Sequence, residues 1–306
     1  MILAAGLSPA WQQIVLLDQL RLGEVNRARE VHWCASGKVV NVGIALAQLG
    51  ASSLMLSVAG GLPGEAMDRD LESLAVPRRW IPSSAASRVC TTLLDQATGQ
   101  TTELVENASA LGDGELAAFV AAYAEAIQSA SAVVLTGSLP AGTPEGFYHQ
   151  LLSVTRCPAI LDVRGPELTT ALAARPLVVK PNRAELAATV GSELESDADL
   201  IAAMNRHREQ GAAWVVITQG AAAVWAAGPE GTFRLTPPTV EVVNPIACGD
   251  CLAAGISWGI ADGADCLEAI KLGMGAAAQN AGMLLPARVN ADYVRRLAAG
   301  IAAEQV

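Results

Sequence analysis

Val178-Val179-Lys180-Pro181-Asn182-Arg183-Ala184-Glu185 carries an apolar β-branched run, Leu177–Val179, into a helical one, Asn182–Val190. Pro181 stops the strand, and the spacing that follows is that of a helix. The same unit recurs along the chain. Apolar runs at Leu54–Val58, Ala132–Thr136, Ala159–Val163 and Trp214–Thr218 alternate with helical spacing at Val40–Leu49, Glu65–Leu74, Gly114–Ser129, Ala198–Glu209 and Cys251–Ile260. Strand after helix after strand predicts an α/β fold: a doubly wound, mostly parallel sheet with helices on both faces. No internal repeat or low-complexity tract interrupts it.

Two segments break the rhythm. Ile14–Trp33 and Arg88–Glu106 alternate apolar with polar residues, as in Val89-Cys90-Thr91-Thr92-Leu93-Leu94, with a turn at Ala97-Thr98-Gly99. They read as antiparallel strands. Residues 1–306 are therefore expected to form one main domain, and segments of about 12–34 and 86–107 a small β-sheet lid over it. Ligands of such folds sit beyond the carboxyl ends of the strands, where a lid can close.

Composition narrows the function. The chain has 306 residues, 52% of them apolar, and a net charge of −10. That is ample for a core and argues against disorder, while the acidic balance lacks the electrostatic footprint of a nucleic-acid binder. Mean hydropathy is positive, yet the charge-poor runs Ala126–Pro144 and Gly211–Pro229 carry Gly and polar residues at their centres and read as buried strand plus loop, not membrane spans. Met1–Leu17 lacks the basic flank of a signal peptide. Six scattered cysteines suit free thiols in a reducing cytoplasm.

Four stretches can carry chemistry. In Asn244-Pro245-Ile246-Ala247-Cys248-Gly249-Asp250, small residues open directly onto a helix, whose free amides and dipole make an anion site. Asp250 could there face a hydroxyl about to attack a phosphoryl group; it is equally an N-cap, and position alone does not choose. Cys248 and Cys251 spell C-x-x-C, but no second pair stands at ligand spacing and His32, His149 and His207 are isolated, which disfavours zinc or redox chemistry. Asn182 and Glu185, three apart on one helical face, can hold the water shell of Mg²⁺ or simply form a capping box. Ala35-Ser36-Gly37-Lys38-Val39-Val40-Asn41 is a turn-like helix entry with one lysine. Thr136-Gly137-Ser138-Leu139-Pro140-Ala141-Gly142 is a loop at a strand's end.

Together these stretches resemble the phosphofructokinase B family of ribokinase-like carbohydrate kinases, in its 1-phosphofructokinase and tagatose-6-phosphate kinase branch. The resemblance covers nearly the whole chain, from Gly23-Glu24-Val25-Asn26-Arg27 through Gly37-Lys38 with Asn41, Arg88, Gly137-Ser138-Leu139-Pro140, Lys180-Pro181-Asn182 with Glu185 and Thr218-Gln219-Gly220 to Gly249-Asp250. It implies phosphoryl transfer from ATP with Mg²⁺ to a ketohexose phosphate: fructose 1-phosphate, fructose 6-phosphate or tagatose 6-phosphate. Asp250 would be the base, and the Ala247, Cys248 and Gly249 amides would hold the developing charge. Asn182 and Glu185 would organise Mg²⁺ through water; Lys180, Thr218, Gly220 and Asn244 would line the nucleotide. Gly37, Lys38, Asn41 and Ser138 would position the sugar, and Arg88 and Arg27 its phosphate. A homodimer clasped through the lids is expected, because an open sheet has edges and an apolar face to cover.

The chain departs from the family pattern in three stretches. Ser36 and Val39 replace glycines of a Gly-Gly-Lys-Gly turn, and Ala247-Cys248-Gly249-Asp250 stands for Gly-Ala-Gly-Asp, with Ala less tolerant of positive φ. Gln12 stands where an Asp commonly contacts sugar hydroxyls, so binding there loses charge assistance. These departures keep two other readings in view: a kinase of an unphosphorylated sugar or a nucleoside, and a relative that binds ligands without turnover.

Overall fold

The computed structural model describes residues 1–306. In chain order the elements are β1 (Ile2–Ala5), β2 (Ala10–Leu17), β3 (Glu30–Ser36), α1 (Lys38–Gln48), β4 (Ser53–Ala59), α2 (Gly61–Ser73), β5 (Arg78–Pro82), β6 (Arg88–Asp95) and β7 (Thr101–Val105). There follow α3 (Asp113–Ala126), β8 (Ala132–Thr136), α4 (Phe147–Ser153), β9 (Ala159–Asp162), α5 (Gly165–Leu172), β10 (Val178–Val179), α6 (Arg183–Val190) and α7 (Asp197–Glu209). The last are β11 (Trp214–Ile217), β12 (Val224–Gly228), β13 (Gly231–Leu235), α8 (Cys248–Ala261), α9 (Cys266–Ala281), α10 (Ala291–Ala299) and β14 (Ala303–Gln305).

Ten strands form the main sheet in the order β14-β13-β12-β11-β10-β9-β8-β1-β4-β5. From β11 to β5 neighbouring strands run parallel, and β12, β13 and β14 add an antiparallel edge. Side chains alternate across it as a period of two requires: Ile2 and Ala4 enter one core with α1, α8, α9 and α10, while Leu3 and Ala5 enter the other with α3, α4, α5 and α7. The chain starts in the middle at β1, winds outward through β4 and β5, and returns on the far side at β8. That reversal between β1 and β8 is a switch point, where loops part and leave a crevice.

The second sheet, β3-β2-β6-β7, is built from two excursions, one after β1 and one after β5. Each is an antiparallel hairpin, as the alternation predicts, but the central pair β2–β6 is parallel, from Ala10↔Arg88 to Leu17↔Asp95. Both excursions leave parallel strands of the main sheet at the same end, so their first strands point the same way. The alternation of Ile14–Trp33 also overstates the strand, since residues 18–29 are a loop. Register divides the sheet into two faces: Gln12, Ser36, Arg88, Cys90, Glu103 and Val105 look toward the cleft, and Val15, Val31, Trp33, Leu93 and Leu104 look the other way, on the side where Trp11, at the sheet's inner end, packs against the main core. No helix is long and apolar enough to cross a membrane.

Candidate active site

A cleft of about 1110 Å³ opens over the carboxyl ends of the central strands, walled on one side by the small sheet. Into it the fold brings Gln12, Gly37, Lys38, Asn41, Arg88, Ser138, Lys180, Asn182, Glu185, Thr218, Gly220, Ala247, Cys248, Gly249 and Asp250, residues the sequence scatters over more than two hundred positions. Two candidates lie elsewhere. Arg27 sits exposed in the 18–29 loop, away from the cleft. Asn244 is buried and acts on the backbone: its Nδ2 donates to Leu284 O at 2.8 Å and its Oδ1 accepts from Ile246 N at 3.0 Å.

Helix α8 begins at Cys248, three residues before the expected start, so Asp250 lies within its first turn. The cap is Ala247, with φ 67° and ψ 6°, and no side chain caps the helix. Asp250 is therefore not an N-cap. A left-handed alanine costs about 1–2 kcal/mol, and non-glycine residues in that region cluster at functional sites. Of the expected donors, Cys248 N is turned to Pro245 O at 3.4 Å, whereas the Gly249 and Asp250 amides have no partner within the chain, so the helix start still presents free donors to an anion. A side chain at Gly249 would come within 3.1 Å of Lys180 Nζ.

Asp250 is almost fully buried and held by a short relay: Ser36 Oγ donates to Asn41 Oδ1 at 3.1 Å, and Asn41 Nδ2 donates to Asp250 Oδ2 at 2.7 Å. Ser36, which replaces a glycine of the family pattern, thus orients the amide that orients the carboxylate. Val39, the other replacement, is buried in the core and does not narrow the cleft. Gly37 keeps the close approach, with φ +89° and no room for a Cβ beside Ser8 O at 2.8 Å and Ala10 N at 2.9 Å.

The sequence reading missed Asp162, the last residue of β9. It is buried, and its Oδ1 lies 3.1 Å from both Lys38 Nζ and Lys180 Nζ. Burial opposes its charge, but Lys180 and Lys38 outweigh that and hold its pKa below the usual carboxylate range. For Lys38 burial again works against the charge, and Asp162, Asp250 and Glu185 more than compensate, leaving it a firm ammonium. Asp250 goes the other way: burial pushes its carboxyl up to about 6, Asp162 adds to the push, and Lys38, Asn41 and Lys180 pull back. Two buried carboxylates with opposed pKa shifts assign one to structure and leave the other free to take a proton.

Asn182 and Glu185 form the reciprocal capping box: Glu185 N donates to Asn182 Oδ1 at 2.8 Å, and Asn182 N donates to Glu185 Oε2 at 2.9 Å. Both line the cleft next to Thr218, which bridges to Asn182 from the neighbouring strand end. Nowhere do three carboxylate, thiol or imidazole side chains gather to cage a metal. The second Glu185 oxygen remains for a hydrated cation, which fits Mg²⁺, an ion that keeps most of its waters.

Gln12 is buried against Thr92. Its Nε2 donates to Thr92 Oγ1 at 2.8 Å and to Gln13 O at 3.4 Å, so the side chain keeps only its carbonyl oxygen for the cleft. It thereby offers acceptor chemistry like that of an aspartate, without the charge. Arg88 also has two duties. Its Nη2 donates to Ser8 O at 3.0 Å, its Nη1 to Glu106 O at 3.1 Å and its Nε to Pro9 O at 3.4 Å, pinning the small sheet to the core, while one N–H on each terminal nitrogen is left in a side chain that lines the cleft.

Known proteins share this fold. Phosphofructokinase-2 from Escherichia coli, in complex with substrates and products, superposes with a TM-score of 0.89 at 25% identity over 97% of this chain and 98% of that one. A Thermotoga maritima protein described as a possible 1-phosphofructokinase gives 0.91 at 21% identity over 100% and 99%. Arabidopsis thaliana ribokinase complexed with ribose and ATP gives 0.75 at 18% identity over 97% and 98%. Residues 11–284 match the profile of the pfkB family carbohydrate kinases. A ribokinase-like sheet, the glycine-lysine turn, and a helix start bearing a buried carboxylate all meet in one cleft, and the chain belongs to the pfkB family of carbohydrate kinases.

Proposed function

We propose that the protein transfers the γ-phosphoryl group of ATP to a hydroxyl of a ketohexose phosphate, namely fructose 1-phosphate, fructose 6-phosphate or tagatose 6-phosphate. The observation that carries this reading is Asp250, buried, gripped on one oxygen by Asn41 and lying beside the free amides of the α8 start. The acceptor hydroxyl gives its proton to the Asp250 oxygen that Asn41 leaves free as its oxygen bonds to phosphorus and the bond to ADP breaks. The free amides at the α8 start, Gly249 among them, and Lys180 meet the negative charge on the transferred group. Lys38, paired with Asp162, sets an ammonium beside the sugar. Gln12, Gly37, Asn41 and Ser138 position the sugar, and Thr218 and Gly220 line the nucleotide. Asn182 and Glu185 would hold Mg²⁺ through its waters; when bound, the ion neutralises triphosphate charge. The small sheet serves as a lid that excludes water and so favours transfer over hydrolysis.

Arg88 is the residue for the phosphate already on the acceptor. Replacing it with alanine is expected to raise KM for the phosphorylated sugar by tenfold or more, in an assay coupled to ADP release across a panel of sugars and sugar phosphates. A competing reading, a kinase of an unphosphorylated sugar, is favoured by two observations: Glu103 lines the same wall, and Arg88 already serves the carbonyls of Ser8, Pro9 and Glu106. In that case Arg88→Ala leaves KM nearly unchanged and the free sugar is the better substrate.

The outward face of the small sheet exposes Val31, Trp33 and Leu104, each more than two-fifths accessible, with Trp33 stacked on Trp11 at 5.9 Å. A second copy covering the same face makes a twofold pair clasped through the lids. Light scattering at micromolar concentration is expected to give a dimer, and Leu104→Glu a monomer; a wild-type monomer overturns the clasp.

A further inference from the structure

Asn280 stands in the last turn of α9, is 1% exposed, and spends its amide nitrogen on the anion loop. Its Nδ2 donates to Ile246 O at 2.7 Å and lies 3.3 Å from Cys248 Sγ; its Oδ1 accepts from Ala287 N at 2.7 Å. Ile246 and Cys248 flank Ala247, so one side chain grips the loop on both sides of the left-handed residue. Such a backbone conformation persists only where its surroundings over-determine it, and a non-glycine residue needs that support more than glycine does. No other side chain bonds to both sides of Ala247. Asn244 adds a hold at the loop's entry through Ile246 N. Leu284, whose carbonyl receives Asn244, also packs with Leu285 beneath Ile14, Cys34 and Leu94 of the small sheet.

We infer that Asn280 is a positioning residue for phosphoryl transfer: it holds Ala247 left-handed and thereby aims the first-turn amides of α8 at the group in flight. Cys248 belongs to the same device, since its sulfur takes the second Nδ2 hydrogen that a smaller residue would leave unused. The inference rests on the reading of the cleft given above, and its consequence is specific. Losing Asn280 should harm the chemical step while leaving substrate affinity alone, and restoring conformational freedom at residue 247 should repair the damage.

The test compares wild type, Asn280→Ala, Ala247→Gly and the double variant in kcat and KM, with Asn280→Ser as a second, smaller perturbation should the alanine variant fold poorly. Asn280→Ala is expected to lose about 10–100-fold in kcat, less than deletion of an anion-hole donor itself, with both KM values within about threefold of wild type. In the Ala247→Gly background the same substitution should cost much less. An unchanged kcat, a loss that appears in KM, or a loss of equal size in both backgrounds overturns the inference. A second arm needs no turnover: the extra thermal shift given by ADP with aluminium fluoride and sugar phosphate, over ADP and sugar phosphate, is expected for wild type and lost in Asn280→Ala. Its retention in the variant, or absence from wild type, overturns the inference. If no sugar phosphate is turned over, the functional reading fails, and this arm decides Asn280 by itself.

Discussion

Replacing Asp250 with asparagine is expected to lower kcat by about 10²–10⁴, the range for a general base, with smaller changes in KM, because the substitution keeps shape and removes only the proton acceptor. Asn41 Nδ2, which donates to Asp250 Oδ2 at 2.7 Å, can donate to the amide oxygen of the variant, so the relay from Ser36 survives. The wild-type pH profile should agree. Burial pushes the Asp250 carboxyl up to about 6, and a base must be ionised to act, so kcat/KM should be flat above that pH and fall tenfold per unit below it. The stability sign is the opposite of the usual carboxylate case. A carboxyl whose folded pKa exceeds its unfolded value binds protons more tightly when folded, so its ionised form weakens the fold at neutral pH, and that cost fades as pH falls through about 6 toward the ordinary value of 3.8. Asp250→Asn should therefore melt slightly higher than wild type at pH 7.5 while losing activity. Activity within twofold of wild type removes Asp250 from the role of base.

What the sequence revealed and what it hid follow from where the information resides. Strand-then-helix alternation is local, and the runs from Leu54–Val58 to Trp214–Thr218 all became strands of the main sheet. The central strand β1 was obscured, being four residues inside an uncharged run with no helix directly behind it. The parallel pairing of β2 with β6 is global: it depends on which end of the main sheet both excursions leave from, and alternation carries no such information. The cleft repeated the pattern. Motifs that pair residues within a few positions, such as Asn182 with Glu185, were legible. Asp162 was passed over as part of a buried strand, although a carboxylate closing the carboxyl end of such a strand is the signal that could have found it. Asn280, in a stretch of small residues, gave no signal at all; its partners around the α8 start are 32 and 34 positions away.

Helix α8 carries the site at one end and depends on glycine at its middle. A Cβ on Gly255 would stand 2.6 Å from Gly273 Cα and 2.9 Å from Leu272 O of α9, and one on Gly273 would stand 2.5 Å from Leu252 O of α8. The two helices touch backbone to backbone, a contact with no flexible side chain to yield. Glycine inside a helix costs about 0.5–1 kcal/mol against alanine, so two facing glycines in mid-helix make sense only if the close crossing returns more than it costs. The return is placement. With Cys251 through Gly259 buried between the sheet and α9, the crossing fixes the axis of α8 and with it the position of Asp250. Gly255→Val should force the helices apart and lower stability by about 3 kcal/mol or more, beyond ordinary overpacking because backbone must move, seen as a melting temperature lower by about 6 °C or more. Whatever fraction stays folded should show reduced kcat, since a tilted α8 misdirects its first-turn amides. Gly114→Ala in α3, where nothing lies within 4 Å of the added carbon, is the control and should be neutral or slightly stabilising. If Gly255→Val melts with wild type, the tight crossing does not hold α8, and the placement of Asp250 must come from the Asn41 relay alone.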